Sequence, residues 1–343
     1  MARAVNLVWN YCGDVQNQSR RWSRRWPTGF DLCKLAAGAS REGLPVGSDV
    51  FQAVCKEFAK SRDKANRRPR WRKSVGSKRS LGWVPFMAAS RSIRINGDTV
   101  TFQKRNYRLW LHRPIGENIL CGSFSEDARG RWYLNLQCEI TETQACGSGA
   151  VGVDLGLKTL ATLSTGETIA NPRHFAAYEK RLAAAQRVGR KARVKAIHAK
   201  IKNARRHWHH VVSVQLARRY ETIVVGNVNS SGLAKTRMAK SVLDAGWSQL
   251  RGFLAYKAIR HRGCYIEVSE RFSTQTCFAC HTREGPKGLE GLGVRSWTCS
   301  CGVVHDRDVN AALNILASGQ SVAPQLTGIP STQGGENVTA AAL

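Results

Sequence analysis

"AVGVDLGLKTLATLSTGETIAN", residues 150–171, decides how the chain is read. Runs of Val, Leu and Thr broken by Gly and Ser read as three consecutive antiparallel strands with tight turns. Asp154 follows the first apolar run, and Gly152 and Gly156 beside it let another backbone or a phosphate approach. Upstream, "TETQACGSGA" (141–150) reads as a linker. Downstream, a long basic helical region (173–220) leads into "IVVGNVNSSG" (223–232), a buried strand that runs out into a loop. An amphipathic helix (240–262) carries Val242, Leu243, Trp247, Leu250 and Leu254, and "CYIEVSE" (264–270) follows as a strand. Three hairpin strands, then helix, strand, helix and strand, make a mixed sheet with helices on its faces. "DVNAALNILASG" closes as a helix ending near Gly319, and the polar tail 319–343 is expected to be disordered.

The first 85 residues read as helical and basic. Apolar stripes run through 5–22 (Val5, Leu7, Val8, Trp9, Cys12, Val15) and 49–66 (Val50, Phe51, Val54, Phe58, Ala59). From 86 to 146 the period changes to two. "SIRINGDTVTF" is a hairpin signal, and "YRLWLHRP", "ILCGSF" and "RWYLNLQCEI" read as short strands of an antiparallel β module. The expected fold class is therefore α/β multidomain.

Lys and Arg total 53 against 24 Asp and Glu, a formal charge of +29 in 343 residues. Self-repulsion on that scale calls for a polyanion, and nucleic acid is the obvious one; a solvated basic surface or a ribosomal-type packing protein is the plainer alternative. Candidate phosphate contacts are Arg67, Arg68, Arg70, Arg72 and Lys73 in one cluster. Lys180, Arg181, Arg190, Lys191, Arg193, Arg205 and Arg206 form the other. Trp71, Trp83 and Trp208 interleave with them, and packing is the better expectation for any single Trp. No run of 18 apolar residues is present and the N-terminus lacks a signal-peptide core, so the expected location is the cytoplasm, with no membrane partner.

Of the 11 cysteines, four gather as "CFAC" (277–280) and "CSC" (299–301). Two close thiolate pairs across a loop are the usual frame of a tetrahedral structural zinc. The set is Cys277, Cys280, Cys299 and Cys301; the tight second pair leaves open that His281 or His305 replaces one sulfur. In "HDRDVNAAL", Asp306 and Asp308 open a helix, where acids are also the ordinary choice. Either aspartate alone, like Asp154 alone, is a weak catalytic signal; together in a nucleic-acid binder they gain weight.

"GVDLG", the basic helical region, "STQTCFAC", "WTCSCG" and "HDRDVNAALNIL" fall in an order that resembles the nuclease half of the TnpB family, over residues 151–318. These are transposon-encoded RNA-guided DNA endonucleases related to type V CRISPR effectors. The resemblance implies an RNase H-like (RuvC) mixed sheet with an inserted zinc ribbon. A helical recognition region (1–85) and a small antiparallel wedge module (86–146) would precede it, the nuclease first part taking 147–270, the ribbon 271–304 and the last helix 305–318. It also implies two Mg2+ and one Zn2+, a transposon-end guide RNA paired with target double-stranded DNA, one chain per guide, and the prokaryotic cytosol or nucleoid. Asp154 matches the family's first aspartate and Asp308 its third, leaving Asp306 as a cap.

The family's glutamate belongs at the end of the 222–226 strand, where this chain has Gly226 and Asn227. Two readings stand. Either the chain binds its target without cutting, as a repressor, or Glu270 at the end of the next, parallel strand takes the role. Neighbouring strands lie about 4.8 Å apart, within a glutamate's reach, and Gly226 clears the way. Odd spacing puts Glu267 on the opposite face. Relocation is the preferred expectation, giving Asp154, Glu270 and Asp308 as catalytic metal ligands.

Overall fold

The computed structural model describes residues 1–22, 25–35, 37, 43–87, 93–111, 114–115, 118–139, 145–288 and 290–326. They fall into two compact units, one within Met1–Thr141 and one within Glu142–Gly334. Each has its own core, and helices and a mixed sheet make the whole an α/β multidomain protein.

In the first unit, helices α1 (Ala2–Arg21), α2 (Gly29–Leu35) and α3 (Ser48–Ala65) come first. The expected stripes turn inward except at Leu7, which is exposed: Val5, Val8, Trp9 and Cys12 of α1 meet Val50, Phe51, Val54 and Phe58 of α3. Strands β1 (Trp83–Met87), β2 (Ile93–Asn96), β3 (Thr99–Phe102), β4 (Arg105–Arg108), β5 (Ile119–Glu126) and β6 (Trp132–Cys138) follow. They form two antiparallel sheets, β1-β5-β6 and β2-β3-β4. Strand β1 begins at Trp83, inside the stretch expected to be helical, and runs past its expected end at residue 85. Its Pro85 argues against a central strand, but β1 is an edge strand, where a missing N–H is tolerated. Among the described residues of "YRLWLHRP", only Tyr107 and Arg108 belong to a strand, and Trp110 is exposed.

The second unit is built on strands β7 (Ala150–Leu155), β8 (Thr159–Leu163), β9 (Thr168–Ala170), β10 (Thr222–Gly226) and β11 (Cys264–Val268) in the order β11-β10-β7-β8-β9. Strand β10 runs parallel to both β7 and β11, while β7, β8 and β9 form the expected antiparallel meander. Between them lie α4 (His174–Arg187), α5 (Lys191–Arg219), α6 (Ser230–Leu233), α7 (Ala239–Ala245) and α8 (Trp247–Arg260). The helix expected over 240–262 is two helices, because Gly246 adopts φ +63° and turns the chain between them. Gly189, at φ +67°, likewise divides the long basic region into α4 and α5.

Strands β12 (Ser296–Thr298) and β13 (Val304–Asp306) pair before the last helix, α9 (Arg307–Leu326). That helix runs past Gly319, where an end was expected. Gly319 is not a terminator but a contact point, since a Cβ there would collide with the side chain of Val224. Residues 319–326 are thus helical rather than tail. The rest of the expected tail, 327–343, and residues 141–144 of the linker lie outside the described residues.

The period-two alternation of the strands sorts their side chains. Val151, Val153, Leu155, Ile223 and Val225 join the core with Val212, Leu216, Leu250 and Leu254 of α5 and α8. The other face carries Gly152, Asp154, Val224 and Gly226. Val224, Ile266 and Val268 pack there on Ile315 of α9.

Candidate metal centres

Helix α9 can lie close on the sheet because Gly152 has no side chain. A Cβ at Gly152 would run into the Ala312 carbonyl oxygen of α9. This close crossing brings Asp308, in the first turn of α9, toward Asp154 on the same face of β7. Asp306 does what a helix-opening aspartate ordinarily does: its Oδ1 accepts the Asp308 and Val309 amides at 3.0 and 2.9 Å.

Glu270 reaches the same face from beyond the end of β11, two residues past Val268. A Cβ built on Gly226 would stand 3.2 Å from the Glu270 Cβ and 3.4 Å from its Oε2. Asn227 fixes the exit of β11 twice: its N–H donates to the Val268 carbonyl at 2.8 Å, and its Oδ1 accepts the Glu270 N–H at 3.4 Å. Glu267 points the other way, paired with Arg251 of α8 at 2.5 Å.

The electrostatics tie the three carboxylates together. Part of Asp154 is open to solvent, but its carboxyl is set among protein atoms. That desolvation, followed by the charges of Asp308 and Glu270, pushes its pKa up to about 8 against the opposing Arg307. Burial also raises Glu270, with Arg251 opposing. Asp308 is paired with Arg295, whose Nη1 donates to its Oδ2 at 3.1 Å. An all-oxygen set of this kind suits a hard divalent cation.

The second centre is formed by cysteines. The sulfurs of Cys277, Cys280, Cys299 and Cys301 lie within 4.8 Å of one another, and this is the only such ligand cluster among the described residues. The Thr282 hydroxyl, 3.0 Å from the Cys280 sulfur, and the Thr282 backbone pull that thiol down to about 6, toward the thiolate a metal requires. His305 is buried, with Nε2 3.0 Å from the Cys277 sulfur, in reach of one ligand and outside the four-sulfur set. His281 takes a left-handed turn at φ +63°.

Of the basic candidates, Arg67, Arg68, Arg70, Lys73, Lys180, Arg181, Arg190, Lys191 and Arg193 are exposed, and Arg206 is half-buried. Arg206 is engaged within the protein, and Arg72 and Arg205 have these protein partners. Arg72 donates to Asn6 and to the Leu81 carbonyl, each at 2.7 Å, and lies over the Trp9 and Trp83 rings. Arg205 donates to the Leu243 carbonyl at 2.9 Å and faces Asp244. A basic run in sequence does not reveal which guanidinium the fold consumes. Trp208 packs, its Nε1 donating to the Ala170 carbonyl, while Trp71 is exposed.

Sequence reasoning missed the Arg295–Asp308 pair and the roles of Asn227, Asn310 and Asn314. The two α9 asparagines had one signal: Asn is a poor helix former, and two of them sit four apart beyond the first turn.

Parts of the chain are similar to known families and proteins. Residues 247–315 match the family described as "Cas12f1-like, TNB domain", and residues 135–237 match OrfB_IS605, "Probable transposase". A Streptomyces pristinaespiralis protein and InsQ of Escherichia coli K12, both bearing the name "Putative RNA-guided DNA endonuclease", are 40% and 29% identical over 221 and 225 residues. Those matches cover 60% and 56% of this chain, and the chain spans about half the length of each relative, 54% and 55%. The mimivirus TnpB-like protein L79 is 30% identical over 131 residues, 36% of this chain and 24% of its own. In fold, the chain resembles Cas12f1 as solved by cryo-EM with its sgRNA and target DNA. The TM-score is 0.58 at 12% identity, covering 92% of this chain and 80% of that one. Over residues 135–315 the chain resembles the TnpB family in its family matches and its relatives, and it resembles Cas12f1 in fold.

Proposed function

We propose that the chain is an RNA-guided DNA endonuclease of a mobile element, cutting through a RuvC-like site made of Asp154, Glu270 and Asp308. The observation that carries this reading is the Gly226–Glu270 pair. Glu270 sits against the one position where the expected acid is missing, and its charge is felt at Asp154. Two Mg2+ ions held by these carboxylates would supply charge neutralisation for in-line phosphodiester hydrolysis. The chain's own part is to hold the three acids on one sheet edge. Gly152 lets α9 close in, Asp306 caps that helix, and Asn227 anchors the backbone of Glu270.

The four cysteines would hold one Zn2+ as the centre of a ribbon, with His305 as an N–H donor to Cys277. The exposed arginines and lysines of 67–73 and 180–193, with Arg206, would contact the phosphates of guide RNA and target DNA. The helices and small sheets of the first unit would act as recognition and wedge modules. Nothing among the described residues is a helix long and apolar enough to cross a membrane.

A second reading, guided binding without cleavage, is favoured by Arg295, which pairs with Asp308, and by Asn227, which brings no charge. Protein purified with its RNA, given Mg2+ and a target matching that RNA, separates the two. Cut DNA supports the nuclease, and tight binding with no product supports the repressor.

A further inference from the structure

The segment from Glu270 to Cys277 has a carboxylate at one end and a thiolate at the other, and two asparagines of α9 hold it. Asn310 is 1% exposed. Its Nδ2 donates to the carbonyls of Ser273 and Thr276 at 3.2 and 2.8 Å, and its Oδ1 accepts the Phe278 N–H at 3.0 Å. Asn314, one turn on, donates to the same two carbonyls at 2.9 and 2.7 Å. The two side chains thus make five hydrogen bonds, all to residues 273–278.

Both ends of that segment connect onward. The Ser273 N–H donates to the Glu270 carbonyl at 3.1 Å, which closes the turn that carries the glutamate. Phe278 lies between Cys277 and Cys280 in the first thiolate knuckle. On the other side, Asn310 is two residues from Asp308. His305, in contact with the Cys277 sulfur, is one residue before the Asp306 cap. A shift of the knuckle therefore moves Phe278 against Asn310, and a shift of Ser273 moves Glu270. Helix packing alone would need apolar contacts here, not a buried amide with both ends used.

We propose that Asn310 and Asn314 are positioning residues through which occupancy of the four-cysteine centre sets the placement of Glu270 against Asp308. The inference rests on the carboxylate reading above. Because coupling is reciprocal, metal in the thiolate centre should raise divalent-cation affinity at the carboxylates, and a cation there should raise the affinity of the thiolate centre for its metal by the same factor.

The test uses the full chain with Asn310→Asp, which keeps shape and the acceptor for Phe278 but sets a carboxylate against two carbonyls. Asn314→Asp carries the same test should the first variant fail to fold. Mn2+ affinity is read by electron paramagnetic resonance, thiolate ligation by the Co2+ absorption spectrum, and the 270–278 segment by amide exchange. The expected result is an unchanged Co2+ spectrum with Mn2+ affinity about 10- to 100-fold weaker, the cost of losing an outer support of a metal site. Exchange over 270–276 in the zinc-loaded variant should match that of zinc-stripped wild type. A purely structural role would lower the melting midpoint and leave Mn2+ affinity of the folded chain at the wild-type value, which overturns the proposal. If wild type itself takes no Mn2+, the carboxylate reading falls. The exchange arm then still decides: zinc stripping that leaves 270–276 unchanged overturns the coupling.

Discussion

Gly226 and Glu270 share one space, and the glycine's missing side chain is what the glutamate's Cβ and carboxylate stand against. The backbone at Gly226 is not left-handed, so the position does not need glycine for its own conformation. A side chain there would crowd both Ile315 of α9, at 3.1 Å, and Glu270.

Glu270→Ala should lower DNA cleavage by about 1000-fold, the scale of losing a main electrostatic contributor at an active site, while guided DNA binding persists. Gly226→Val should act in the same direction by displacing Glu270 and crowding Ile315, at an overpacking cost of about 1–3 kcal/mol. Glu267→Ala, on the other face, should leave the rate near wild type. Cleavage assays beside filter binding read all three; a Glu270→Ala protein cutting at full rate sinks the relocation.

Asp154 gives a pH signature. Its ordinary value is 3.8 and its folded value about 8, so between these the folded state binds more protons than the unfolded. Stability of the metal-free chain should therefore fall as pH rises from about 4 to about 8. Mg2+, which takes the deprotonated carboxylate, should oppose the fall, and its affinity should rise over the same window. Melting midpoints against pH, with and without Mg2+, check this. Asp154→Asn should flatten the metal-free profile.

One Zn2+ per chain should be found by elemental analysis, and Co2+ substitution should give a four-thiolate spectrum. Cys277→Ser with Cys280→Ser should unfold the ribbon, because thiolate ligation and local folding are coupled. His305→Gln should keep the four-thiolate spectrum, as expected of a donor rather than a ligand. A shift toward a three-sulfur spectrum would make His305 a ligand.

Nucleic-acid affinity should fall steeply with salt. Neutralising Arg181, Arg190, Lys191 and Arg193 together should reduce the log–log slope by roughly 1 for each phosphate left without its cation. Arg72→Gln and Arg205→Gln should instead lower the melting midpoint, since both side chains hold the fold. Affinity that ignores salt would separate the +29 charge from nucleic acid.

The period of the apolar residues in 150–171, 222–226 and 264–268 was enough to read the strands, and parallel β10 and β11 followed from the helix between them. The spacing of Cys277, Cys280, Cys299 and Cys301 was enough to read a ligand set, because thiolates of one centre must be near in sequence or folded over a short loop. Alternation alone placed Glu267 and Glu270 on opposite faces. What needed the tertiary structure were the contacts between distant segments. Gly319 looks like a helix end until Val224 is seen against it, and Gly246 looks ordinary until its left-handed turn splits a helix. Arg72 and Arg205 look like phosphate contacts until Asn6 and Leu243 claim them. The Arg295–Asp308 pair and the asparagine clamp join residues 13 and 32–41 positions apart. Periodicity reports only which face a residue takes on its own element. Which partner meets that face is decided when elements pack.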